Sequence, residues 1–264
     1  MTTVTTETQS IGAARLAAAR QARGGKRIWR RLITPAVVAI ILGALYLWIS
    51  SLTLDSIEQR TINLDYLALR IGEHLSLTVV ASALVAILAI PLGILLAKTP
   101  SRTVRAVVLA LANIGQATPA VGVVILLAIV WQTGYTTALV ALVIYAFLPV
   151  LRNTMIGIEQ VDGAIRESAR GMGMTPTQVL ARIELPLAVP VILAGLRTAL
   201  VFCVGVATIA TFINAGGLGD MIVNGLKLQR YPVLVVGAVL VACIALLIDW
   251  IAGVAEDLLT PKGI

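Results

Sequence analysis

Three observations predict an all-α membrane protein of about six transmembrane helices. Of 264 residues, 59% are hydrophobic and only 12% charged, against roughly half and a quarter in soluble domains. Mean hydropathy is +0.97. The apolar residues also gather into runs of about twenty, the length of a helix that crosses hydrocarbon. Backbone groups in lipid must be bonded internally, which leaves helices or a closed barrel, and the run length selects helices. The net charge of +7 does not point to nucleic acid, because the basic residues sit between the apolar runs and form no soluble face.

The elements follow in chain order. Residues 1–31, rich in Thr, Ala, Gln and Arg, read as a flexible basic tail. The run 32–50 is too long for a signal-peptide core and lacks a clean small-residue cleavage site, so it is expected to remain as an accessory first helix. Further spans are expected at about 75–97, 106–131, 137–151, 188–213 and 233–255. The third holds Gly115, Pro119 and Gly122 and should be kinked or broken near its middle. The fourth is short unless Arg152 and its neighbours prolong it. Residues 258–264 form a C-terminal tail, and Cys203 and Cys243 lie within apolar runs, where a thiol acts as a small hydrophobe.

Charge gives an orientation. Sixteen of the 20 Lys and Arg fall in the N-terminal tail, around the second loop, in the segment 152–197 and at Lys262, whereas Arg60, Arg70, Lys227 and Arg230 lie on the other side. The positive-inside rule then places both termini, and the polar island between spans four and five, in the cytoplasm.

That island, 153–186, reads as two short helices around a turn. Asp162 is a candidate N-cap, with Ile165, Ala169 and Met172 on one face and Gly171 and Gly173 as the stop. Thr175, Pro176 and Gln178 form a capping box with Pro at the first helical position. Val179, Leu180 and Ile183 supply an apolar edge, and Pro186 is expected to end the element.

The spacing Glu167-Ser168-Ala169, Gly173, Ile183-Glu184-Leu185-Pro186 resembles the EAA loop of bacterial ABC importer permeases, with Ser168 in place of the middle Ala. The resemblance implies a type I ABC importer permease fold with a cytoplasmic two-helix coupling loop. Glu167, Ser168, Ala169, Gly173, Ile183, Leu185 and Pro186 would then seat against an ATP-binding cassette subunit. Residues 73–257 form the permease core and resemble the osmoprotectant branch. The stretches that carry this are Glu73-His74-Leu75, Pro91-Leu92-Gly93, Leu148 to Thr154, Ala169 to Met174, and Ala215-Gly216-Gly217-Leu218-Gly219-Asp220. Members of that branch carry glycine betaine, carnitine, choline or proline betaine. The Gly-Gly-Leu-Gly element recurs in methionine, phosphonate and sulfonate permeases, which keeps those solutes as alternatives.

The resemblance further implies ATPase subunits that bind ATP and Mg, an extracytoplasmic solute-binding protein, a second permease, identical or homologous, and the bacterial inner membrane as the site. No cofactor or catalytic residue is expected in this chain, and no His, Cys or acid cluster suits a metal or an enzyme. An ion-coupled secondary transporter would instead predict inverted repeats and several intramembrane charges. Asn113, Gln116 and Thr118 near Pro119, with Thr208, Thr211 and Asn214 beyond Gly205, are candidates for a neutral translocation path. Helix-to-helix hydrogen bonding fits the same residues. Glu167 is expected to pair with Arg170 or with a basic group on the ATPase. Asp249 reads as structural support or a gate, and His74 as an interfacial polar group.

Overall fold

The computed structural model describes residues 32–259, all helices and their connections, with no strand among them. The predicted tail 1–31 and residues 260–264 lie outside the described residues. Helix α1 spans Leu32–Ser50. It is followed by α2 (Ser56–Thr61), α3 (Leu64–Lys98), α4 (Arg102–Ala117), α5 (Ala120–Val130), α6 (Tyr135–Glu159), α7 (Gly163–Gly171), α8 (Pro176–Val179), α9 (Leu185–Ala207), α10 (Gly219–Lys227) and α11 (Tyr231–Leu259). Five helical runs are long and apolar enough to cross a membrane, and the bent pair α4–α5 would make a sixth.

Three boundaries differ from expectation and one expected break is found, each for a local reason. The second span is the 35-residue α3, started by the Asn63 side chain, which accepts from the Tyr66 amide at 2.9 Å. The third is two helices meeting at 98°. Pro119 cannot donate a backbone hydrogen bond and drives Thr118 into extended geometry at ψ 137°, which makes the expected break. The fourth span continues through Arg152–Thr154 to Glu159, and this takes 153–159 out of the predicted polar loop. Finally, Pro186 does not end a helix but opens α9. Its missing N–H would have bonded Arg182, and the residues before it relax into a π-helical turn, Leu180–Glu184, where the Leu185 amide reaches back to the Leu180 carbonyl. The run Pro176–Ile213 is thereby one 38-residue helical path.

The core lies where α6 packs between α3 and α9. Leu77, Ala81, Val85 and Ala89 form an i, i+4 stripe on α3, and it meets Ala138, Ala141, Leu142 and Ala146 of α6 and Ala199, Cys203 and Ala207 of α9. Small residues permit this approach, as is usual where lipid removes the hydrophobic drive between helices. A Cβ on Gly195 would lie 2.7 Å from the Asn153 side chain and 3.0 Å from the Pro149 carbonyl. Gly195→Val is therefore expected to force α6 from α9, costing about 1–3 kcal/mol and lowering the melting temperature in detergent. An unchanged melting temperature would show that the crossing has slack. Large apolar side chains such as Ile87, Leu126 and Ile129 face outward, as a lipid-facing surface requires.

Candidate functional site

Segment 163–184 is built by local signals. Asp162 accepts from the Ala164 amide at 2.8 Å and starts α7. The helix ends in a double bond pattern: the Gly173 amide reaches the Arg170 carbonyl at 2.9 Å and the Met174 amide reaches the Ala169 carbonyl at 3.2 Å. This Schellman arrangement needs a left-handed residue, supplied by Gly173 at φ 86°. Thr175 and Gln178 then close the expected reciprocal cap, with the Thr175 amide 2.8 Å from the Gln178 Oε1.

The element has an inner and an outer face. Ala169 and Val179 are buried, in helices that pack on each other and on the π turn. Glu167, Ser168 and Gly173 are exposed, and two apolar residues stand out beside them, Ile165 at 45% and Met172 at 71% exposure. Ile183, Leu185 and Pro186 are half-buried, in the π turn and at the head of α9. Among the described residues Glu167 forms no ion pair with Arg170, one of its two expected partners.

The ion pairs in this region belong to Glu184, a residue to which the sequence pattern assigned no role. Lying in the π turn, it is 1% exposed and receives the ammonium of Lys98, the last residue of α3, at 2.6 Å on Oε1. Arg166 of α7 stands 3.9 Å from the same carboxylate. An acid breaking the apolar edge Val179-Leu180-Ile183, and a lysine closing a span, were the signals available.

The path candidates divide. Asn113 accepts from Arg152 Nη2 at 3.0 Å, between α4 and α6. Thr118 and Thr208 return their hydroxyls to carbonyls of their own helices, at 2.7 Å each. Gln116 is half-buried on the last turn of α4, and Asn214 is exposed in left-handed geometry at φ 58°. Thr211 donates to Asp220. No hydrogen bond among the described residues joins the Asn113 group to the Thr208 group, although α5 packs on the 3-10 turn Thr208–Ile213.

At the opposite end from Glu184, α3 holds a second charged cluster. Arg70 Nη1 lies 2.9 Å from both Glu73 and Asp220. Glu73 also accepts from the Gly217 amide at 2.8 Å. The loop 215–218 fits there because Gly216 and Gly217 take φ 80° and 90°, and a Cβ on Gly216 would lie 2.5 Å from the Glu73 carboxylate. His74, expected at an interface, is instead fully buried, with Nε2 3.1 Å from the Val204 carbonyl. Helix packing of α9 across α3 covers it. Asp249 is doubly bonded by Arg197 across α9 and α11, at 2.6 Å from both Nε and Nη2, which supports the structural reading.

Comparison with known proteins places this architecture. Residues 89–261 match the family described as binding-protein-dependent transport system inner membrane component. A choline transport system permease protein of Bacillus subtilis is 40% identical over 191 residues, covering 72% of this chain and 87% of that protein. A glycine betaine/carnitine/choline transport system permease protein of the same organism is 40% identical over 193 residues, covering 73% and 88%. An osmoprotectant import permease protein of Salmonella typhimurium is 34% identical, covering 80% of this chain and 100% of that one. Among solved structures, an inward-facing methionine ABC transporter matches with a TM-score of 0.68 at 22% identity, over 77% of this chain and 99% of that chain, and speaks to the fold alone. The chain therefore belongs to the family of inner membrane components of binding-protein-dependent transport systems, and it has the type I ABC importer permease fold.

Proposed function

We propose that this chain is the permease subunit of an ATP-driven importer for compatible solutes such as glycine betaine, carnitine, choline or proline betaine. The named relatives handle solutes that share a quaternary ammonium group, which supports this class. Element 163–184 is the surface offered to a cytoplasmic ATPase subunit, where ATP and Mg are bound. The observation that carries this is its two-faced build: Ala169 and Val179 are buried while Glu167, Ser168, Ile165 and Met172 stand free. An apolar pair flanked by a carboxylate suits a protein partner. The excess of Lys and Arg in 1–31, 98–105 and 152–197 supports a cytoplasmic position for this end and for both termini.

One chain supplies half a pathway, so a second permease completes it and an extracytoplasmic binding protein delivers solute. ATP binding draws the two coupling elements together and opens the spans outward; hydrolysis returns them inward. Neutral groups such as Asn113, Gln116, Thr118, Thr208, Thr211 and Asn214 line the route, where a zwitterion needs hydrogen bonds but not a fixed counter-charge.

Gly173→Asp tests the coupling surface. Nothing lies within 4 Å of a Cβ there, so no clash disturbs the bundle, while φ 86° penalises a side chain by about 1–2 kcal/mol. Membrane level should be unchanged, and uptake of labelled glycine betaine should fall by about tenfold or more, with loss of the copurifying ATPase. Gly173→Asn, which tolerates left-handed geometry as Asp does but adds no charge to the docking surface, should retain more uptake. Normal transport by Gly173→Asp would sink the assignment.

A further inference from the structure

Helix α3 connects two ionic anchors at opposite ends of the molecule. At one end Lys98 is fixed to the buried carboxylate of Glu184, in the π turn that joins element 163–179 to α9. At the other end Arg70 and Glu73 hold the loop before α10 through Asp220 and the Gly217 amide. The 28 residue-to-residue steps from Arg70 to Lys98 lie within one helix, a length of about 42 Å at 1.5 Å per step. Between the anchors the stripe Leu77, Ala81, Val85 and Ala89 is packed against α6 and α9, and close-packed contacts of this kind transmit strain along the helix, across the Pro91 turn near its Lys98 end.

The joint at Glu184 is built for load. Its carboxylate is 1% exposed and is met by Lys98 and by Arg166 of α7, so three separate elements converge on one charge. A buried carboxylate left without its cation is strongly disfavoured, which holds the elements in one arrangement. Single π turns inside helices are frequent at functional sites.

We propose that Glu184 and Lys98 are positioning residues that make element 163–179 and α3 move together, so that displacement at the ATPase surface reaches the Gly216–Asp220 loop through α3 as well as through α9. This rests on the coupling role proposed above. α9 reaches the same loop through the 3-10 turn Thr208–Ile213 and the Thr211–Asp220 bond, and α3 adds a second connection through the carboxylate that holds the loop amide.

The test uses the complete complex, permease with its ATPase and binding protein, in proteoliposomes, with glycine betaine as probe. Basal ATPase, solute-stimulated ATPase and uptake are measured for Glu184→Gln, Lys98→Gln, their double variant and Lys98→Arg. Lys98→Gln, outside the docking element, should keep the ATPase bound and basal hydrolysis within about twofold, and both single variants should lose solute stimulation and uptake by about tenfold. The double variant should be no worse than either single one, since the pair acts as a unit. Lys98→Arg, which keeps the cation, should retain stimulation. Stimulation within about twofold of the native complex in both single variants, or losses that multiply in the double, would overturn the proposal. Should Glu184→Gln fail to reach the membrane, the contrast between Lys98→Gln and Lys98→Arg decides the matter by the same readouts. A native complex that holds no ATPase at all would overturn the coupling role itself, and this proposal with it.

Discussion

Gly219→Ala is expected to destroy transport and to lower stability more than any other single methyl added to this chain. The new Cβ would lie 2.0 Å from the Thr208 carbonyl oxygen, 2.8 Å from its carbon and 2.9 Å from its Cα. All three are backbone atoms, so no side chain can rotate aside. Relief requires the start of α10 to move off the 3-10 turn by about 1 Å or more to restore van der Waals distance. That shift would strain the Thr211–Asp220 bond and the 2.8 Å bond from the Gly217 amide to Glu73. Overpacking costs about 1–3 kcal/mol and each hydrogen bond to a charged group about 1.5–3 kcal/mol, so the total is several kcal/mol. Gly122→Ala, with nothing within 4 Å of its Cβ, is the control and should melt at or slightly above the native temperature. Thermal melting in detergent, with uptake measured in parallel, checks the pair. A Gly219→Ala protein that melts with the native one would show the loop free to move away.

Arg197→Leu is expected to be the most damaging loss of a charge. Arg197 and Asp249 belong to two spanning helices and face each other through paired bonds of 2.6 Å, the forked geometry in which guanidinium and carboxylate bind best. Gly253 leaves the room, since a Cβ there would be 3.2 Å from Nη1. Without Arg197 the Asp249 carboxylate loses its paired cation, a loss moderated by the exposure of the two side chains, 37% and 41%. The converse change is milder. In Asp249→Leu the guanidinium still has Glu256 at 3.5 Å, and its long stem can carry the charge toward the interface. Arg197→Leu/Asp249→Leu should recover most of the loss, because two apolar side chains replace the pair without leaving a charge behind. Membrane yield and melting temperature should rank Arg197→Leu lowest, the double variant next and Asp249→Leu near the native protein. A double variant worse than Arg197→Leu would contradict this account and favour a gating role.

Local signals in the sequence carried a good part of this structure. The cap at Asp162, the reciprocal cap of Thr175 and Gln178, the left-handed Gly173 and the break at Thr118-Pro119 each appear where the residues indicate. Each depends on groups within four or five residues, which a sequence displays directly. The fold class was legible for the same kind of reason, since a run of about twenty apolar residues in lipid has no stable state other than a helix.

Pro186 marks where local rules stop. Read alone it terminates a helix, yet packing of Ala188 and Ile192 on Ile158 favours continuation, and the chain accommodates the missing N–H in a π turn. His74 likewise reads as interfacial until α9 is laid across it.

By itself the sequence determined the apolar spans, the caps at Asp162 and Thr175 and the turn that shapes element 163–184, because hydrophobic run length and backbone hydrogen bonding act between near neighbours. Only the tertiary structure decided which charges meet: Lys98 with Glu184 across 86 residues, Arg197 with Asp249 across 52, and Glu73 with the Gly217 amide across 144. The energy of such pairs depends on distance and surrounding dielectric, and neither is defined until the helices have packed.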